Sequence, residues 1–143
     1  MEPQSFASHT RWHPPFHFFI LPVMLINFIW AIVEFVKAPG RSTAWWVVVS
    51  LALALLTLFV RTYSIKLQDR IIRLEEKFRY QRLLSPALLE QCETLTLSQI
   101  IALRFAGDDE LDELVSAVVS GKLTASKDIK QAIKNWRADE FRV

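Results

Sequence analysis

The sequence predicts an all-α membrane protein: an antiparallel two-helix transmembrane hairpin whose second span extends into a long cytoplasmic helix, followed by a small helical domain. Three observations carry this. The stretch Phe16–Val60 holds three formal charges, Glu34, Lys37 and Arg41, in a chain of 143 residues that is 52% hydrophobic and 22% charged. An apolar pattern at helical spacing follows, with no Pro or Gly between Arg41 and Ser85. Beyond Ser85, helix caps and breakers recur at short intervals. The expected division is residues 1–15 as a cytoplasmic N-tail, 16–63 as the hairpin, 64–84 as the helix extension and 85–143 as the small helical domain.

The first span is Phe16–Val36, whose 21 residues rise about 31 Å as a helix, matching a hydrocarbon core of about 30 Å. Its length and the lack of a small-x-small site after it argue against a cleaved signal peptide. The loop 37–43 (KAPGRST) holds a Pro-Gly turn, and a connection that short makes antiparallel neighbours of the two helices. The second span is 44–63, uncharged from Ala44 to Val60.

Orientation follows from basic residues. Arg11, Arg61, Lys66, Arg70, Arg73, Lys77, Arg79 and Arg82 flank the spans on the tail side, against Lys37 and Arg41 in the loop. The positive-inside rule then places both termini in the cytoplasm, with Trp45 and Trp46 at the outer interface and Trp12 and Tyr63 at the inner one.

Polar groups at membrane depth are the places to look for function. Asn27 lies near the middle of the first span, and Ser50, Ala54 and Thr57 make a seam of small residues on the second. Packing Asn27 against that seam with an interhelical hydrogen bond is the structural reading. Glu34 stands three residues before Lys37, at ion-pair spacing. Pro22 frees the carbonyl of Phe18 and is expected to bend the first helix.

His9, His13 and His17 share a spacing of four, but Pro14 and Pro15 break a common helical face. The prolines suit a helix start, with His17 in the first turn. Interfacial anchoring is the plain reading of His13 and His17. Axial ligation of haem or a chlorophyll-type pigment is the alternative, since it needs a single imidazole.

Leu67, Ile71, Leu74 and Phe78 repeat at 4-3-4 on the helix extension, an apolar stripe too short to define a coiled coil. Ser85-Pro86 starts a short helix to Cys92, and Thr96 with Gln99 forms a capping box for a helix to about Ala106. Asp108, Asp109 and Glu110 stand at the start of the next helix, where negative charge complements its dipole, and Gly121 ends it. A last helix starts near Ser126. The expected core is Leu95, Ile100, Ile101, Leu103, Phe105, Leu111, Leu114, Val115, Val118, Ile129, Ile133 and Trp136.

Several function classes find no support. The formal net charge of +2 is too small to argue for nucleic acid. The single cysteine, Cys92, allows neither an internal disulfide nor a thiolate metal cluster, and the acidic run lacks the alternating ligands of an EF-hand. No constellation of paired ionisable groups points to an enzyme, and no metal site is expected.

The strings PQSFASHTRWHPPFHFFILPVMLINF, RIIRLEEKFRYQRLL and LTASKDIKQAIKNWRADEFRV together resemble a bacterial family of small two-span membrane proteins classed as a domain of unknown function, over nearly the whole chain. The resemblance implies a bacterial membrane protein with a cytoplasmic C-terminal domain and transfers no catalytic residue. The functional expectation is a non-enzymatic accessory or scaffold subunit of the bacterial inner membrane. It would sit in the lipid bilayer and pack against a larger complex, such as an energy-transducing one, or form a homo-oligomer. The alternative is a cofactor-bearing subunit using His17 or His13.

Overall fold

The computed structural model describes residues 13–139. Expectations that fall on Arg11, Trp12 and the rest of the N-tail before His13, or on residues 140–143, lie outside them. The described residues form two compact units, 13–66 and 67–139. Regular structure is helical throughout, apart from one isolated antiparallel bridge between Ala106 and Trp136.

The first unit begins at the Pro14-Pro15 pair, where the His13 carbonyl accepts the first N–H bonds, from Phe16 at 3.1 Å and His17 at 3.0 Å. Pro15–Ile20 is wound as a π-helix and runs directly into α1 (Leu21–Lys37). The wide winding ends two residues before Pro22, which has no N–H to offer the Phe18 carbonyl. Three residues separate α1 from α2 (Arg41–Leu83), a tighter connection than the seven-residue loop expected from composition. The Thr43 hydroxyl holds it by donating to the carbonyls of Ala38 (2.9 Å) and Gly40 (3.1 Å). Lys37 pairs with Glu34 at 3.3 Å, the i,i+3 contact read from the sequence.

Two helices are long and apolar enough to cross a membrane: Pro15–Lys37 and Arg41–Leu83, with mean hydropathy of 2.3 and 2.2 over their most apolar stretches. Their large apolar side chains, among them Phe18, Trp30, Trp45 and Leu56, are exposed.

The second unit takes in α2 from Leu67 onward, α3 (Pro86–Gln91), a 3-10 turn (Cys92–Thr94), α4 (Leu97–Leu103), α5 (Leu111–Val119) and α6 (Ser126–Ala132). Its helix boundaries follow local chemistry. The Ser85 hydroxyl accepts from the Leu88 N–H ahead of Pro86, and Thr96 and Gln99 form the reciprocal capping box. Gly121, at φ 78°, closes α5 with the Lys122 N–H returning to the Ala117 carbonyl, a Schellman ending.

The core joins Phe105, Leu103, Leu111, Val115, Val118, Ile129 and Ile133 to Tyr80, Leu84 and Leu88. The last three were not expected there, and Ile101 is only half-buried. α4 stops at Leu103 rather than Ala106, because the next residues pair with a distant segment. Phe105 packs on Trp136 with ring centroids 5.1 Å apart, and the Arg137 N–H donates to the Phe105 carbonyl at 2.8 Å.

Candidate functional site

In the first unit, His17 Nδ1 lies 3.0 Å from the His13 carbonyl. A carbonyl only accepts, so the ring donates from Nδ1. The same stretch sets Phe16 edge-on to His17 and places the Arg61 guanidinium 5.6 Å from the centre of the Phe16 ring. Among the described residues no cluster of three His, Cys, Asp or Glu side chains forms a metal-binding group.

Asn27 Nδ2 donates to Ser50 Oγ at 3.0 Å, joining α1 to α2, and Ser50 is buried. The other seam residues do not meet Asn27 in this way. Thr57 Oγ1 turns back on its own helix to the Leu53 carbonyl at 2.9 Å, which satisfies the hydroxyl locally, and Ala54 carries no polar group.

On α2 in the second unit, the apolar stripe and the core-facing stripe are different faces. Leu67, Ile71, Leu74 and Phe78 are 58%, 48%, 54% and 63% exposed, whereas Ile72, Glu76, Arg79, Tyr80 and Leu84 are buried. At about 100° per residue the centres of these two sets lie roughly 170° apart around the helix. The chain thus packs its own core against the more polar face and leaves the apolar one uncovered.

The buried face owes its position to a charge network invisible in the apolar pattern. Arg79, 5% exposed, donates to Asp108 Oδ1 at 2.8 Å, to Glu76 Oε2 at 3.2 Å and to the Ala106 carbonyl at 2.7 Å. Glu76 also pairs with Arg137 at 3.3 Å. Burial pushes the Glu76 carboxyl above its ordinary range, and the Arg79 and Arg137 cations oppose that shift without reversing it. Beside the network opens a cleft of about 720 Å³ lined by Ile72, Glu75, Phe78, Arg82 and Ala138 as well as the paired charges. Arg104 lies under the same cleft, 3.4 Å from Asp139 and over the Phe105 ring.

The acidic run directly precedes α5, with Glu110 as its N-cap residue, and also makes specific long-range contacts. Asp108 is taken by Arg79, Asp109 accepts from the Asn135 side chain at 2.6 Å, and Glu110 accepts from the Lys134 and Asn135 backbone N–H groups at 3.0 Å each. These are charge-assisted hydrogen bonds to segments 24 to 29 residues away. Cys92 is half-buried at the edge of the core, where burial pushes its thiol up and away from the thiolate form a nucleophile needs. The Tyr80 hydroxyl is raised in the same way, chiefly by burial, and it finds no hydrogen-bond partner among the described residues.

A signal for the buried face did exist in the sequence. Ile72, Tyr80, Leu83 and Leu84 stand at helical spacing, with Glu76 and Arg79 at ion-pair spacing between them.

Fold and surface together define an all-helical protein with two long apolar helices and a separate small helical unit. The chain belongs to DUF6526, a family of unknown function, which matches residues 1–143. No curated protein and no solved structure matches it.

Proposed function

We propose that this protein is a non-enzymatic accessory or scaffold subunit of the bacterial inner membrane. Its two long apolar helices cross the bilayer as an antiparallel hairpin with both termini cytoplasmic, and its helical unit packs against a larger membrane complex or a second copy. The carrying observation is the exposed stripe Leu67, Ile71, Leu74 and Phe78 on a helix whose opposite face is already packed. Contiguous apolar surface of this kind marks an interaction site. The exposed side chains of the spans suit acyl chains, and Asn27–Ser50 supplies the polar contact that holds two helices together where the hydrophobic effect between them is absent. Two spans cannot enclose a pore alone, which sets a solitary transporter aside.

The test is extraction of the tagged full chain from its own host in mild detergent, followed by native mass analysis. A species larger than one chain plus its detergent and lipid is expected. A single-copy species at every detergent level overturns the proposal.

The Nδ1 contact of His17 favours a second reading. A ligating histidine commonly donates its other ring nitrogen to a backbone carbonyl, the arrangement present here with His13. On this reading Nε2 of His17 binds haem or a chlorophyll-type pigment. A visible absorption band that co-purifies and is lost in His17→Ala supports it, and a colourless intact preparation removes it.

A further inference from the structure

We infer that the apolar stripe of α2 is the seam of a parallel, in-register dimer with a second copy of this chain. The inference rests on the scaffold reading above and names its partner. On the helix, Leu67 and Leu74 take one seam position and Ile71 and Phe78 the other, the 4-3-4 alternation of a heptad. Four exposed side chains in 12 residues make a short seam, which polar Gln81 ends at its next position.

The flanks choose the partner. Arg70 and Lys77 border the stripe on one side, and Glu75 and Arg82 on the other, all four exposed. In a parallel pair each residue before the first seam position faces the residue five further on in the other helix. Arg70 of one copy then faces Glu75 of the other, twice over by symmetry. Lys77 would face Arg82, but the Arg82 guanidinium leans toward Asp108 at 3.9 Å, which offsets its charge. An antiparallel pair instead sets Arg70 against Lys77, twice over, and its attractive contact, Glu75 with Arg82, falls on the guanidinium that Asp108 already offsets. Parallel pairing is also the arrangement two copies adopt when both are inserted the same way in one membrane. Confinement to that plane raises the effective concentration of the partners, so a short seam suffices.

Cysteine cross-linking of the full chain in native membranes tests this, in a Cys92→Ala parent that must first extract and elute like the native protein. Leu67→Cys and Leu74→Cys are each expected to give a disulfide-linked homodimer under mild oxidation, while Arg73→Cys, on another face, is not. Only an in-register parallel pair lets both seam positions meet their own copies, because an antiparallel pair brings at most one position to the symmetry axis. Arg70→Glu should lower the cross-linked fraction by about tenfold, as two attractive pairs of ordinary exposed strength become repulsive. Arg70→Glu combined with Glu75→Arg should restore it. Cross-linking at one seam position only, or no rescue by the charge exchange, overturns the parallel register. Absence of any homodimer while the native chain co-migrates with a larger complex overturns the second copy and leaves the scaffold reading standing. A single-copy species in native mass analysis removes both.

Discussion

Replacing Arg79 by alanine asks what holds α2 to the second unit. The guanidinium is buried and donates to Asp108, Glu76 and the Ala106 carbonyl at 2.8, 3.2 and 2.7 Å. Without it Glu76 keeps only the half-exposed Arg137 at 3.3 Å as a counter-charge, and the Ala106 carbonyl loses its side-chain donor. Removing one partner of a buried ion pair costs about 3–5 kcal/mol, against a total stability of about 5–15 kcal/mol for a domain. At about 1.4 kcal/mol per decade, even the lower figure speeds amide exchange of α5 by roughly 100-fold where exchange proceeds through opening of the unit. The assay is hydrogen exchange with mass readout on the full chain in detergent, with Arg82→Ala alongside. Arg82 is 72% exposed and 3.9 Å from Asp108, so its loss should cost less than about 1 kcal/mol. Equal exchange rates in the two variants would refute the reasoning that burial, rather than the mere presence of a pair, sets the cost.

Two further predictions follow from the same unit. The Glu76 carboxyl is raised from its ordinary value of 4.5, so folding favours its protonated form. Its contribution is present below the unfolded value and is lost as pH rises through the raised one. Glu76→Gln should therefore gain relative to the native chain as pH rises above the ordinary carboxyl value of 4.5, read as the difference in thermal midpoint at each pH; a constant difference contradicts the raised carboxyl. Gly107 and Gly121 separate steric from conformational cost. A Cβ on Gly107 would meet Asp109 Oδ1 at 2.5 Å and the Asn135 Cβ and carbonyl at 3.1 Å, whereas Gly121 has open space but φ 78°. Gly121→Ala should cost about 1 kcal/mol and be partly recovered by Gly121→Asn, while Gly107→Ala should cost more and gain nothing from asparagine, as judged by urea midpoints.

What the sequence disclosed divides along the range of the interactions involved. Ser85-Pro86, the Thr96–Gln99 box and Gly121 act within one turn, so their helix boundaries were legible. The 4-3-4 stripe was legible too, because periodicity exposes an apolar face whatever covers it. The core-facing side of α2 was only faintly marked, by Ile72, Tyr80, Leu83 and Leu84, since Glu76 and Arg79 interrupt its apolar pattern and their partners Asp108 and Arg137 lie 29 and 61 residues away. The distant partners of the acidic run were hidden for the same reason: local helix electrostatics are visible in sequence, and contacts to Asn135 are not. In the first unit, Asn27 and Ser50 could be matched because a short connection sets equal distances from the turn side by side on two neighbouring helices. The further tightening of that connection, which depends on the Thr43 hydroxyl, was hidden.

The proposed function requires two spans joined on the outer side of the membrane. Labelling with a membrane-impermeant maleimide tests that, using right-side-out vesicles, a Cys92→Ala parent and single cysteines at Gly40, between the long helices, or at exposed Lys122 in the second unit. The account predicts that Gly40→Cys is labelled in sealed vesicles and Lys122→Cys only after permeabilisation. Labelling of both in sealed vesicles, or release of the chain from the membrane by alkaline carbonate, would contradict it.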